Sequence, residues 1–132
     1  VEELFGIYSF QQVHQMISTI TSNLKEGVSG VEAIRCAFPM GSMTGAPKIR
    51  AMELIEKYEN TKRGLYSGSV GYFTPQEDFD FNVVIRSILY NSKNKYASFM
   101  VGGAITAKAI PVQEYEECLL KAKAMFEVLG YA

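Results

Sequence analysis

Apolar and polar positions change rhythm repeatedly along the chain, and each stretch of constant rhythm marks an element. Val1 to Phe10 mixes apolar and acidic residues and predicts a short strand. Val13 to Leu24 is rich in β-branched residues (Val13, Ile17, Thr19, Ile20, Thr21), which favours a strand with both faces largely buried. Ser29-Gly30-Val31-Glu32 reads as a capping box, and Val31, Ile34, Ala37 and Phe38 follow at helical spacing until Pro39 stops the run. Ile49, Met52, Ile55 and Tyr58 recur at three-residue steps, which predicts a helix from Pro47 to Glu59. Gly64 to Thr74 is small and aromatic. Phe79 to Asn91 is apolar on both faces and predicts a central strand, and Tyr96 to Thr106 predicts a third. Short turns at Thr74–Asp78 and Asn91–Lys95 join these three strands into an antiparallel meander. A final helix from Pro111 to Leu129 carries an apolar stripe of Tyr115, Cys118, Leu119, Ala122, Phe126 and Leu129. The expected class is α+β, with helices packed on an antiparallel sheet.

Composition bounds the function. The 132 residues, 48% hydrophobic, can bury one core and are expected to form a single domain. A net charge of −1 argues against nucleic acid or an anionic membrane as the main partner. No apolar run approaches the roughly 18 residues of a membrane span, and the amino terminus does not read as a signal peptide. Cys36 and Cys118 sit in apolar helical patterns and read as reduced, buried thiols of a cytoplasmic protein. One histidine and two distant cysteines leave no structural zinc cluster.

Three stretches carry candidate chemistry. The first is Pro39-Met40-Gly41-Ser42-Met43-Thr44-Gly45-Ala46-Pro47-Lys48, a glycine-rich turn running into a helix, with Pro47 suited to the first helical position. Its N–H groups and the Ser42 and Thr44 hydroxyls suit an anion, though such a turn also serves simply as a turn. It is not a phosphate loop, because Ala46-Pro47 separates Gly45 from Lys48. The second is Arg86, set in the apolar run Val83–Leu89. A charge there needs a partner: a ligand carboxylate that matches its planar fork, or an internal carboxylate from Asp78, Asp80 or a glutamate. Tyr66 has a phenolic hydrogen bond to offer the same ligand, and Gly102-Gly103-Ala104 has backbone N–H groups. The third is the last helix, where Glu114, Glu117 and Lys121 share one flank between core and solvent. Two carboxylates three residues apart suit a hard cation, and the same residues also make an ordinary surface ladder.

Taken together, Gly41–Lys48, Arg50-Ala51-Met52, Arg63–Gly68, Asp80–Arg86 and Glu114-Tyr115-Glu116-Glu117 with Lys121 closely resemble the chorismate-utilising enzymes in order and spacing. The resemblance covers nearly the whole chain. It implies the C-terminal portion of the chorismate-binding, anthranilate synthase component I-like fold, and so a single partial domain over residues 1–132. It implies that Glu114 and Glu117 hold Mg2+ over the substrate's ring carboxylate, with Lys121 one turn beyond. It implies that Arg86 and Tyr66 grip the enolpyruvyl carboxylate, that Gly102 and Gly103 turn N–H groups to a carboxylate, and that His14 and Thr44 stand near the ring. Ala104 departs from the usual glycine.

Within the family, Thr44 and the Asp80-Phe81-Asn82 run look more like component I of aminodeoxychorismate (para-aminobenzoate) synthases. Anthranilate synthase component I or an isochorismate-forming relative is the alternative. The branch implies amination of chorismate at the 4-position with ammonia from a glutamine amidotransferase subunit. The family's first acidic motif and its Pro-Ile-Lys-Gly-Thr motif are absent from these residues. The chain alone is therefore expected not to turn over chorismate, and to self-associate through apolar surface.

Overall fold

The computed structural model describes residues 1–11 and 13–131. Four helices and three two-stranded antiparallel sheets make up the described residues, an α+β fold as the patterning predicts. The chain divides into two compact units, Val1–Phe38 and Pro39–Ala132.

In the first unit, β1 (Glu3–Ser9) pairs with β2 (His14–Thr19), with a register shift between Glu3 and Gly6. The predicted second strand thus stops at Thr19 rather than Leu24. It has a partner on one side only, and none of its residues is buried. Half of the capping box forms: Ser29 Oγ accepts from the Glu32 backbone N–H at 3.3 Å and opens α1 (Gly30–Ala37), while the Glu32 carboxylate accepts from Arg35 and Cys36 rather than from the Ser29 N–H. Cys36 on α1 is exposed, not buried as its apolar neighbours imply.

The second unit opens with α2 (Gly41–Thr44), a single turn within what the sequence presents as an open loop. Pro47 caps the next helix with an extended backbone, so α3 runs over Lys48–Tyr58, one residue later than predicted. Ile49 and Tyr58 of its expected inward stripe are exposed.

The meander is replaced by two hairpins. β3 (Ser69–Phe73) pairs with β4 (Phe79–Val83), and β5 (Leu89–Asn91) pairs with β6 (Tyr96–Ser98). The long central strand breaks between β4 and β5 for a local reason. Ser67 N–H donates to the Val84 carbonyl and Val84 N–H to the Gly68 carbonyl, which extends the first hairpin. The Ile85 N–H then turns back to the Val83 carbonyl, and Arg86 takes a left-handed φ of 49°. The strand cannot continue through that geometry. Tyr96–Thr106 likewise stays extended in a ladder only to Ser98.

The last helix, α4 (Pro111–Val128), begins on Pro111 as predicted. Its buried side chains are Ala122 and Met125, which with Val84 are the buried apolar residues of the described chain. Phe126 packs edge-on against Phe99, with centroids 5.1 Å apart. Tyr115 and Leu119, assigned inward by the helical stripe, face outward.

Candidate active site

A cavity of about 700 Å³ lies within the second unit. Its walls come from five places. α2 contributes Ser42 and Met43. The end of α3 and the segment after it contribute Glu59, Asn60, Thr61, Arg63 and Tyr66. The break after β4 contributes Ile85 and Arg86. The irregular stretch after β6 contributes Met100 to Ile105, and α4 contributes Lys121.

Five of the residues singled out in the sequence therefore meet at one cavity: Tyr66, Arg86, Gly102, Gly103 and Lys121. The break in the long strand is what brings Arg86 there. It moves the guanidinium out of a ladder and onto the exposed rim. Arg35, Arg50 and Arg63 each pair with a glutamate. Arg86 has no carboxylate or hydrogen-bond partner among the described residues, so neither Asp78 nor Asp80 neutralises it.

The glycines admit close approach. A Cβ on Gly102 would stand 2.9 Å from the Tyr66 hydroxyl, and one on Gly103 would stand 3.0 Å from Glu114 Oε2. The two positions thus bring backbone against the phenol on one side and the carboxylate on the other. Lys121 joins them: its Nζ donates to the Gly102 carbonyl at 3.1 Å and pairs with Glu117 Oε1 at 2.5 Å. The shared flank of Glu114, Glu117 and Lys121 is thus real, and the Glu117–Lys121 rung of the ladder forms.

Burial pushes the Tyr66 phenol above its ordinary value; the Arg63 and Lys121 cations pull it back, while Cys118 and Glu59 add to the rise. Tyr66 therefore stays a neutral hydrogen-bond donor at neutral pH.

Other assignments land elsewhere. The Thr44 hydroxyl donates to the Met40 carbonyl at 3.0 Å, within its own turn, and Ser42 takes the place on the cavity wall. The folding of the loop into a helical turn causes this, because a helical threonine reaches back four residues. The turn also engages the Met40 and Gly41 carbonyls with the N–H groups of Thr44 and Gly45, so those two donors are not free for an anion. His14 lies in the first unit, exposed, with Nδ1 2.9 Å from Ser9 Oγ.

The residue that sequence reading passes over is Arg63. It was visible only as part of a motif, yet it makes four hydrogen bonds at the cavity wall. One bond, to the Met43 carbonyl, spans twenty residues, which no local pattern encodes.

For a metal, Glu114 and Glu117 present two carboxylates about one helical turn apart, hard oxygen donors of the kind magnesium takes. No group of three or more His, Cys, Asp or Glu side chains converges among the described residues. The pair fits a cation that draws its remaining ligands from substrate, water or other polypeptide.

Comparison with known proteins gives this geometry a context. The family model for chorismate binding enzymes matches residues 1–127. The chain is 48% identical over 124 residues to the chloroplastic aminodeoxychorismate synthase of Arabidopsis thaliana, covering 94% of this chain and 13% of that protein. It is 46% identical over 129 residues to the probable chloroplastic aminodeoxychorismate synthase of rice, covering 98% of this chain and 14% of that one. Among solved structures it matches anthranilate synthase component I of Streptococcus pneumoniae with a TM-score of 0.82 and 31% identity, over 93% of this chain and 28% of that chain. The chain thus spans less than a third of each of these proteins.

Proposed function

Because this chain belongs to the chorismate binding enzymes, we propose that its cavity receives chorismate, and that the chain is a segment of an aminodeoxychorismate synthase component I. The observation that carries the reading is Arg86. Among the described residues it is the arginine without a glutamate, and it lines the same cavity as Tyr66, Gly102, Gly103 and Lys121. A planar fork left free at a cavity rim suits a carboxylate.

In this reading Arg86 and the neutral Tyr66 hydroxyl take the enolpyruvyl carboxylate. Lys121, held by Glu117 and the Gly102 carbonyl, keeps a positive charge beside the same end of the cavity. Gly103, which lines the cavity, leaves room beside it for the Glu114 carboxylate. Glu114 and Glu117 would hold magnesium. When bound, that ion would neutralise substrate carboxylate charge and polarise the ring for displacement. Lys121 engages Oε1 of Glu117, which leaves Oε2 as the oxygen that would face the ion. Roles for His14 and Thr44 rest on the family resemblance alone.

The identities of 40–48% to aminodeoxychorismate synthases, against 36–39% to anthranilate synthase components 1, support the aminating branch over the anthranilate-forming one. That branch makes a folate precursor, with ammonia delivered by a glutamine amidotransferase partner. The chain would act as part of one larger catalytic domain, alone turning over no chorismate.

A chimera tests the proposal. This chain replaces the matching segment of the Arabidopsis enzyme, and chorismate, MgCl2 and ammonia are supplied. The expected product is aminodeoxychorismate, with activity lost on Arg86→Ala. Anthranilate and pyruvate as products would move the chain to the other branch, and a fully active Arg86→Ala chimera would refute the assignment of the carboxylate site.

A further inference from the structure

Arg63 is built into the cavity wall in a way that sets it apart from Arg86. Its Nε donates to Glu59 Oε2 at 2.8 Å and one terminal nitrogen to Glu59 Oε1 at 2.5 Å, a two-point clamp on the residue that caps α3. The other terminal nitrogen donates to the Met43 carbonyl at 2.8 Å and to the Ser67 hydroxyl at 3.2 Å. The guanidinium carbon lies 6.0 Å from the centre of the Tyr66 ring. Four hydrogen bonds leave at most one of five N–H groups for a ligand, so Arg63 has no free fork with which to grip a carboxylate.

What it holds is informative. Met43 and Tyr66 both line the cavity, on segments far apart in sequence. Ser67, the next residue along, is buried and carries a left-handed φ of 70°. A serine keeps that backbone only when its surroundings fix it. Here the Val84 carbonyl holds its N–H and Arg63 holds its hydroxyl. Tyr66 therefore leaves the chain at a fixed angle, with its hydroxyl against Gly102.

We propose that Arg63 is a positioning residue: by clamping Glu59, Met43 and Ser67 at once, it holds the Tyr66 hydroxyl against Gly102, where it and Arg86 form one carboxylate-receiving pair. This rests on the reading of the cavity as the chorismate site. It adds that the pair depends on a third cation that never touches the substrate. A lysine in place of Arg63 keeps the charge but cannot make the clamp, because it offers a point charge rather than a fork.

The test uses the 132-residue chain with labelled tyrosine and glycine, comparing wild type, Arg63→Met, Arg63→Lys and Glu59→Gln by NMR. The wild type should show a through-space contact between the Tyr66 ring and the Gly102 α-protons, assigned with Tyr66→Phe. Arg63→Met and Arg63→Lys should lose that contact while far-UV circular dichroism stays native. Glu59→Gln, which retains the Met43 and Ser67 bonds, should weaken it and covers the case in which an Arg63 variant does not fold. In a chorismate titration with MgCl2, both Arg63 variants should bind about tenfold more weakly, on the scale of one misaligned hydrogen bond.

An intact Tyr66–Gly102 contact in Arg63→Met, with wild-type chorismate binding, overturns the positioning role and leaves the reading of the cavity standing. Absence of any chorismate-induced shift in the wild-type chain overturns that reading and the role built on it.

Discussion

Changing Glu59 to glutamine keeps the size of the side chain and removes the charge that the Arg63 fork grips. The pair joins Glu59, the C-terminal cap of α3, to Arg63 in the turn that leads to Tyr66. Arg63 and Glu59 are 23% and 38% exposed, so the pair is neither a free surface bridge nor a sealed one. Exposed i,i+4 pairs contribute about 0.3–0.5 kcal/mol, whereas hydrogen bonds to charged groups contribute about 1.5–3 kcal/mol when shielded. Two bonds in this half-shielded position should couple by about 1 kcal/mol. The pH dependence has a definite sign. The hydrogen bond from Arg63 holds the Glu59 carboxyl below its ordinary value of 4.5, against burial, which pushes it up. A depressed carboxyl contributes stability that is present above its unfolded value and lost as the pH falls through its folded value. A double-mutant cycle of Glu59→Gln and Arg63→Met, measured by urea unfolding, should therefore show its full coupling at pH 7 and lose it on acidification. A coupling below about 0.3 kcal/mol at pH 7, within ordinary additivity error, would refute the clamp. So would a coupling that persists once Glu59 is protonated.

Further outcomes follow from particular contacts. Gly103→Ala sets a methyl 3.0 Å from Glu114 Oε2 and should displace that carboxylate, with a stability loss of about 1 kcal/mol, at the mild end of overpacking; an unmoved Glu114 signal with unchanged stability would count against the close approach. Ser29→Ala removes the cap of α1 and should cost about 1 kcal/mol of helix stability, read as faster amide exchange at Glu32; unchanged exchange would show that the 3.3 Å bond contributes nothing. Ile49, Leu120, Val112 and Val128 present apolar side chains on α3 and α4 that are more than half exposed. The chain should therefore self-associate as concentration rises, and a constant monomer mass by light scattering would contradict this.

The elements were largely legible because their signals are local. The Ser29 cap, the Pro111 start and the shared flank of Glu114, Glu117 and Lys121 follow from helical period and cap chemistry alone. The break at Ile85–Arg86 was not, since Val83–Leu89 contains no glycine or proline to mark a turn. It depends on Ser67 and Gly68 closing the ladder onto Val84 from outside that run. The inward faces of α3 and α4 were misjudged because period tells which residues share a face, not whether anything covers it. Ile49 and Tyr115 have the right spacing and little against them. Tyr66, Arg86, Gly102 and Gly103 were found through the family resemblance and through residue chemistry. Thr44 shows the limit of that route, since its hydroxyl is taken by its own turn. Arg63 shows the other limit: its worth lies in Met43 and Ser67, which only the fold brings to it.

Arg86 decides the account. Adding chorismate with MgCl2 to the labelled chain should shift the Arg86 side-chain N–H and the Gly102 and Gly103 amides together. Binding should be weak, with a dissociation constant in the millimolar range or about −4 kcal/mol, because the chain spans less than a third of the proteins it matches. In Arg86→Ala the Gly102 and Gly103 amide shifts should vanish. Shifts that survive Arg86→Ala, or chorismate that leaves all three groups untouched, would contradict the assignment of this cavity to the substrate carboxylate.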